Sequence, residues 1–208
     1  SCAEQPGVTA ALKWPASLST QPRAVLALSF EVMNTGGNTV EVVEHIVLPD
    51  GWSLVTRPAT LTLAPGQSRI RLHSVAVPAH AAAGDYDLLF ELLDSIDAST
   101  RARVCLTVPV ASVAALTVAT VSLPAHVVAG SCYVARFLLA NAGNGAAAVS
   151  LDTTEQEGFT LSHVRRLQLE AGESRVVDVT VSTSAWMREA VMHRWSLVAT
   201  AGEATARA

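Results

Sequence analysis

The sequence predicts an all-β chain made of two tandem β-sandwich domains. Three observations predict it. The length of 208 residues fits two domains of about 100 residues each, one residue pattern occurs twice, and short apolar alternations are separated by turn residues about every ten positions. No segment has a convincing amphipathic helical pattern, apart from a turn around residues 184–190.

The internal repeat is the strongest of these observations. Residues 30–38 (FEVMNTGGN) correspond to 137–145 (FLLANAGNG), and residues 61–70 (LTLAPGQSRI) correspond to 167–176 (LQLEAGESRV). The matching positions are 106 to 109 residues apart, as with Phe30 and Phe137. A shift of this size indicates duplication of a whole domain. We therefore predict domains over residues 1–110 and 111–208, joined by a short apolar linker near 109–115.

Within each repeat, apolar side chains recur with a period of two, which is typical of half-buried strands. Alternation is clear in residues 26–32, 101–108 and 177–181. It is weaker in residues 69–76, where two sets of side chains lie on opposite faces: Ile70, Leu72, Ser74 and Ala76 against Arg69, Arg71, His73 and Val75.

Charge and composition exclude several classes of partner. The formal net charge is −4, from 18 acidic and 14 basic residues, and like charges form no run. Neither a nucleic acid nor an anionic membrane surface is therefore predicted as a partner. No apolar stretch reaches the ~18 residues that a membrane-spanning helix needs. The sequence leaves a protein or a glycan as the partner.

The residues that could carry chemistry are scattered. The six histidines occur singly and are interpreted as surface residues. No nucleophile elbow, phosphate-binding glycine loop or dinucleotide fingerprint occurs. Asp94 and Asp97 could offer oxygen atoms to Ca²⁺, but two carboxylates in one loop more often form a turn. We expect no catalytic residues, no metal and no cofactor, and predict that the protein is not an enzyme.

Three cysteines leave several alternatives open. Cys2 could carry a lipid anchor, since the sequence begins without Met or a signal peptide and so indicates a mature or trimmed chain. A disulfide between Cys105 and Cys132 could join the domains, and one between Cys2 and Cys105 is equally compatible with the pattern. Zinc ligation is not predicted, because the cysteines lack ligand spacing.

Four motifs of the first repeat resemble those of a known family: Asn34-Thr35-Gly36, Pro49-Asp50-Gly51-Trp52, Leu63 to Ser68 with Pro65-Gly66, and Val77-Pro78 followed by Gly84-Asp85-Tyr86. The second repeat retains Asn141-Ala142-Gly143 and the turn at Gly172, and has Gly158-Phe159 in place of Gly-Trp. These motifs resemble bacterial and archaeal domains of the NEW3 type, the α-galactosidase-associated family, which overlap CARDB-like adhesion modules. The resemblance implies immunoglobulin-like (fibronectin III-like) sandwiches and no chemistry.

The same residues have predicted structural roles. Glycines 36, 51, 66, 143, 158 and 172 are expected to adopt positive φ in turns, with Pro65 presetting the turn before Gly66. Trp52 and Phe159 are expected to close the ends of their cores. Tyr86 is expected to form a tyrosine corner, with its hydroxyl bound to nearby backbone.

The sequence thus predicts a non-catalytic, extracytoplasmic interaction or spacer module, as part of a larger surface or glycan-active protein. One alternative is a periplasmic chaperone that donates a strand, for which residues 101–110 are only a short approximation of the donor strand. Another is a carbohydrate-binding module, for which the available aromatic residues are Trp14, Trp52, Trp186, Trp195, Tyr86 and Tyr133.

Overall fold

The computed structural model describes residues 7–154, 159–186 and 192–208. Across these ranges all regular secondary structure is β, in sixteen strands that form four antiparallel sheets of four strands. The predicted all-β fold of two immunoglobulin-like sandwiches is confirmed. The chain divides into two compact units, Ser1–Ala111 and Ser112–Ala208. No helix able to span a bilayer occurs in the part of the chain that the structure describes.

The first unit contains eight strands: β1 (Val8–Trp14), β2 (Val25–Asn34), β3 (Val40–Val47), β4 (Ser53–Leu54), β5 (Thr60–Leu63), β6 (Ser68–Ala76), β7 (Gly84–Asp94) and β8 (Thr100–Val110). One sheet has the order β1-β2-β6-β4 and the other β5-β3-β7-β8. From β2 to β7, successive strands alternate between the two sheets, while β1 pairs with β2 and β7 pairs with β8 within one sheet.

The core of the first unit lies between its two sheets. The alternation in β2 buries Leu26, Leu28, Phe30 and Val32. Phe30 stacks on Phe90 of β7, with ring centroids 4.2 Å apart and planes 10° apart. Each such buried apolar side chain stabilises the fold by about 1.5–3 kcal/mol, so this inter-sheet pair is a main source of the unit's stability.

Strand β6 buries its more polar face. Arg71, His73 and Val75 point toward β3 and the core, and His73 is 1% exposed. Ile70 and Leu72 lie on the opposite face and are 55% and 68% exposed. The interpretation of every histidine as a surface residue is therefore wrong for His73. Its burial is possible because a carboxylate on β3 pairs with it.

The second unit also contains eight strands: β9 (Leu116–Ser122), β10 (Cys132–Asn141), β11 (Ala147–Thr153), β12 (Phe159–Ser162), β13 (Arg166–Leu169), β14 (Ser174–Thr183), β15 (Leu197–Ala201) and β16 (Ala204–Arg207). Its sheets have the orders β9-β10-β14-β12 and β13-β11-β15-β16. Strand for strand, these are the orders of the first unit. The last hairpin is shorter, because β15 and β16 have 5 and 4 residues where β7 and β8 have 11 each.

The second core is built mainly from aliphatic side chains. The valines of β14 that the alternation predicts to face inward are buried, as are Leu139 and Leu151 on the strands nearby. Phe137 is the large aromatic residue of this core, and it packs edge-on against Trp195 at a centroid distance of 5.4 Å. Each unit therefore has its own hydrophobic core.

Candidate functional site

Asn34 ends β2 and is fully buried. Its amide nitrogen donates to the carbonyl oxygens of Leu63, at 2.9 Å, and Asn38, at 2.8 Å. Its side-chain oxygen accepts the N–H of Gly36 at 2.9 Å. The side chain therefore ties the end of β2 to the end of β5 across the sandwich, and its polar atoms are used by the fold.

Asn141 repeats this arrangement at the end of β10. Its amide nitrogen donates to the carbonyl oxygens of Gly145 at 2.9 Å and Leu169 at 3.3 Å, and its oxygen accepts the N–H of Gly143 at 2.9 Å. Asn141 is 1% exposed. Neither asparagine has a side-chain atom available to a ligand.

The glycines of the turns do two different jobs. Gly51, Gly66 and Gly172 have positive φ values of 78°, 71° and 76°. Gly36 and Gly143 do not, which corrects the prediction of positive φ there. A Cβ on Gly143 would overlap the carbonyl oxygen of Val113 and approach Asn141 Oδ1 to 2.9 Å, so glycine is needed there for close approach. Gly158 lies outside the described residues.

Aromatic residues close one end of the first core. Trp52 is buried, and its ring lies 5.3 Å from that of Tyr86. The Tyr86 hydroxyl donates to the carbonyl oxygen of Ala82 at 3.0 Å, the type of contact that a tyrosine corner makes. Pro65 and Gly66 occupy the central positions of a turn that the Gln67 N–H closes on Ala64 O at 3.0 Å. In the second unit, Phe159 is half-buried and stacks on His193 at 3.3 Å.

A buried ion cluster joins β3 to β6. The Glu44 side chain is fully buried and accepts hydrogen bonds from Arg71 Nε at 2.6 Å and from the Ala59 N–H at 2.8 Å, and it contacts His73 Nε2 at 3.3 Å. Burial raises the pKa of Glu44, but the bonds from His73, Arg71 and Ala59 outweigh it and lower the pKa to about 2. His73 Nδ1 lies 3.2 Å from Thr56 Oγ1. Every polar group of the cluster therefore has a partner.

A second ion cluster lies on the other face of the β5-β3-β7-β8 sheet. Glu91 accepts from Arg103 Nη2 at 2.7 Å and contacts His45 Nδ1 at 3.1 Å. Burial raises the pKa of Glu91, and the hydrogen bonds from His45 and Arg103 outweigh it and lower the pKa. This cluster crosses three neighbouring strands and stabilises the sheet.

The loop between β7 and β8 is organised by its own carboxylates. Asp94 Oδ1 accepts the N–H of Ile96 at 2.8 Å, and Asp94 Oδ2 accepts from Arg101 Nη2 at 2.6 Å. Asp97 accepts the N–H of Ser99 at 2.9 Å. These contacts are those of a turn. In the described ranges no group of three or more His, Cys, Asp or Glu side chains could hold a metal ion.

The cysteine hypotheses stay predictions. Cys105 on β8 and Cys132 on β10 are both exposed. The Cys132 sulfur lies 3.2 Å from Ser182 Oγ. Cys2 lies outside the described residues, so the structure does not bear on its lipidation or on its pairing.

The second unit has an open cleft with a volume of about 480 Å³, here called the His193 cleft and lined by residues that include Thr154, His193, Arg194, Trp195, Ser196 and Arg207. Both ring nitrogens of His193 are buried and find no hydrogen-bond partner among the described atoms. Burial lowers the pKa of His193. The described lining has no carboxylate side chain.

The first unit has a shallow groove with a volume of about 460 Å³ beside the start of β2, here called the Trp14 groove. It is lined by Trp14, Ser17, Ser19, Gln21, Val25 and Ala27 and by four further residues of the same segment. None of the described lining residues is charged. Sequence reasoning counted Trp14 among the aromatic residues but could not find the groove, because its loop has no recognisable motif.

The fold and these sites define an immunoglobulin-like sandwich protein in which the two ion clusters and both buried asparagines serve the structure. Residues 22–93, which cover most of the first unit, match the model of the NPCBM-associated, NEW3 domain of alpha-galactosidase. The predicted NEW3 resemblance is thus confirmed for this range, which runs from the loop before β2 into β7.

Solved structures of several proteins are similar to this chain. One is a protein of unknown function from Porphyromonas gingivalis W83, at 17% identity over 95% of this chain and 98% of that one, with a TM-score of 0.35. Another is the activated alpha-2-macroglobulin of Escherichia coli, at 12% identity and a TM-score of 0.33, of which this chain spans 22%. A third is the calcium binding domain CBD12 of CALX1.1, at 9% identity over 93% of this chain and 79% of that one, with a TM-score of 0.34. No curated protein matches the chain.

Proposed function

We propose that this protein is a non-catalytic, extracytoplasmic interaction module that is accessory to a larger surface or glycan-active protein. One observation carries the proposal: the ionisable groups of the first unit's two clusters are held by internal partners, while large apolar side chains are exposed on an outer sheet face. The two ion clusters stabilise the first unit, and its outer sheet face binds the partner.

The buried carboxylates are unsuited to catalysis. A general base needs an oxygen within hydrogen-bond reach of a substrate proton. Both oxygens of Glu44 are already bound, by Arg71 and by the Ala59 N–H. Both oxygens of Glu91 are engaged by Arg103 and His45. A lowered pKa also makes each carboxylate a weaker base.

The outer face of the β1-β2-β6-β4 sheet is suited to binding. Its exposed large side chains are Trp14, Val25, Met33, Ile70 and Leu72, with Val55 directly after β4. The strand register places Trp14 opposite Ser29, and Ser29 opposite Leu72, so these residues form one row across three strands. Contiguous exposed apolar surface on a folded domain marks interaction sites.

The matched family supports the setting. The NEW3 model is described as a domain of alpha-galactosidase, a class of enzyme that acts on glycans. A module of this type beside such an enzyme would hold it near its substrate, which supports an extracytoplasmic location. The binding role is argued from the exposed face.

Retention of a fluorescent carrier tests the proposal. The whole chain is fused to a fluorescent protein and passed over immobilised polysaccharides, peptidoglycan and extracellular matrix proteins. We expect retention on at least one surface and no turnover of chromogenic glycosides, esters or peptides. Retention on none, or turnover that survives purification, contradicts the proposal.

A matched pair of variants locates the binding face. Ile70 and Val176 are equivalent positions of the repeat, and their side chains are similarly exposed. The Ile70→Ser/Leu72→Ser variant should lose retention, because it removes apolar surface from the proposed face. Val176→Ser should keep it.

A further inference from the structure

Trp14 is an unusual surface residue. Its side chain is 57% exposed at the end of β1. Keeping a large aromatic ring in water forgoes the stabilisation that burial would provide. Trp14 is one of the residues that line the Trp14 groove. An exposed ring beside a groove is an apolar platform on which a ligand can stack.

None of the other lining residues of the groove is charged, and they are partly polar and partly apolar: the polar ones are Ser17, Ser19, Thr20 and Gln21, and the apolar ones are Pro15, Ala24, Val25, Leu26 and Ala27. Ser17, Ser19 and Gln21 are exposed and offer hydroxyl and amide groups that both donate and accept hydrogen bonds. An ionic ligand would find no counter-charge in this lining. A purely apolar ligand would cover these groups without satisfying them. The mixed, uncharged lining therefore favours a neutral ligand that has both apolar faces and hydroxyl groups.

The loop that forms the groove is held in place at its middle and at its end, at Thr20 and Ala24. The Thr20 N–H donates to Pro109 O at 3.0 Å, which ties the loop to β8. The Val77 N–H donates to Ala24 O at 2.9 Å, and the Ala24 N–H donates to Gln21 O at 3.2 Å. A loop ordered before binding loses little conformational entropy when a ligand arrives. The groove is therefore preformed.

We propose that the Trp14 groove binds a neutral saccharide. The inference rests on the proposed function and names the class of ligand for its outer face. A pyranose ring combines an apolar C–H face, which packs on the electron-rich face of an indole, with hydroxyl groups that suit Ser17, Ser19 and Gln21. Binding makes and breaks no covalent bond.

Affinity electrophoresis of the whole chain tests the proposal. The chain is run through native gels that contain galactomannan, xyloglucan, mixed-linkage β-glucan or dextran, with polygalacturonate as the acidic comparison. At least one neutral polysaccharide should retard it. Trp14→Ala should weaken that binding about tenfold or more, because an aromatic contact contributes of this order. Gln21→Ala should weaken it less.

Trp186 provides the matched control, because it is 86% exposed and belongs to the second unit. Trp186→Ala should leave retardation unchanged. Far-ultraviolet circular dichroism checks that each variant is folded. The proposal is overturned if no neutral polysaccharide retards the chain, if Trp14→Ala binds as well as the native chain, or if Trp186→Ala loses binding equally. Equal retardation by polygalacturonate also overturns it.

The two proposals fail in different ways. Suppose that the fluorescent fusion is retained on a protein surface, that Trp14→Ala does not change this retention, and that no neutral polysaccharide retards the chain. This result contradicts the saccharide site but agrees with the proposed interaction module. Absence of retention on every surface removes the module itself.

Discussion

Two buried asparagines fix the same turn in both units. The side-chain oxygens of Asn34 and Asn141 each accept a hydrogen bond from the backbone N–H two residues later. Their side-chain nitrogens donate to the carbonyl oxygens of Leu63 in β5 and Leu169 in β13, on the edge of the other sheet. A buried amide with all its partners stabilises modestly, but removing it leaves those backbone groups unsatisfied, which costs more. Asn34 thus links β2 to β5, and Asn141 links β10 to β13.

Replacing Asn34 tests this role. Asn34→Ala should lower the free energy of unfolding by about 2–4 kcal/mol, because the carbonyl oxygen of Leu63 loses its partner in the interior. Asn38→Ala is the control, since the side chain of Asn38 is exposed and only its backbone oxygen takes part. It should change stability by less than about 0.5 kcal/mol. Urea unfolding measures both, and equal effects would contradict the account.

Glu44 makes the first unit sensitive to acid. Its folded pKa of about 2 lies below the ordinary value of 4.5. A depressed folded pKa contributes stability that is present above the ordinary pKa and is lost as pH falls through the folded one. We therefore expect unfolding to become easier between pH 4.5 and 2, by on the order of 3 kcal/mol from this group.

Glu44→Gln checks the assignment. The variant should be less stable than the native chain at neutral pH, because Arg71 loses its charge partner. The difference between the two should shrink as pH falls toward the folded pKa, since the native glutamate then becomes neutral as well. Thermal unfolding measured across this pH range gives the result. A difference that stays constant with pH would show that Glu44 is not the titrating group.

Some of these residues could be predicted from the sequence and others could not. The repeated Asn-x-Gly motif identified both asparagines as turn residues. The need for glycine at position 143 was hidden, because it depends on the carbonyl oxygen of Val113, distant in sequence. Glu44 did carry a signal: it shares a strand face with the buried Val42, so a buried partner of opposite charge could have been sought.

At the scale of elements, β6 shows the limit of reading alternation by hydrophobicity. Its apolar Ile70 and Leu72 face outward, and its polar Arg71 and His73 face inward. A shift of one residue in the register would exchange the faces. Glu44, on the facing sheet, pairs with Arg71 and His73 and so favours the observed orientation of β6. The sequence of β6 alone does not indicate this partner.

Two substitutions on β6 test its orientation. Leu72→Ser should leave stability within about 1 kcal/mol of native, because the side chain is already exposed. Val75→Ala should destabilise by about 1–3 kcal/mol, because it leaves a cavity in the core. Chemical denaturation distinguishes them. A larger loss for Leu72→Ser would mean that the apolar face is the buried one.

At the scale of the whole molecule, the two units share one strand order, and residues 22–93 of the first match the NEW3 model. The alternation and turn spacing made the sandwich class predictable, because each strand's period and each turn's chemistry are local. The surfaces were not predictable. Residues 14–27 form the Trp14 groove because hydrogen bonds hold this segment to β8 and to the residue after β6. Tertiary contacts of this kind produce no local sequence motif.

We propose that the chain acts by binding through the outer face of its first unit. Hydrogen–deuterium exchange of the whole chain, with and without a polysaccharide that retards it, tests this proposal. Exchange should slow in the loop at residues 15–24 and change little around the His193 cleft. Slower exchange confined to the second unit, or no change at saturating polysaccharide, would contradict it.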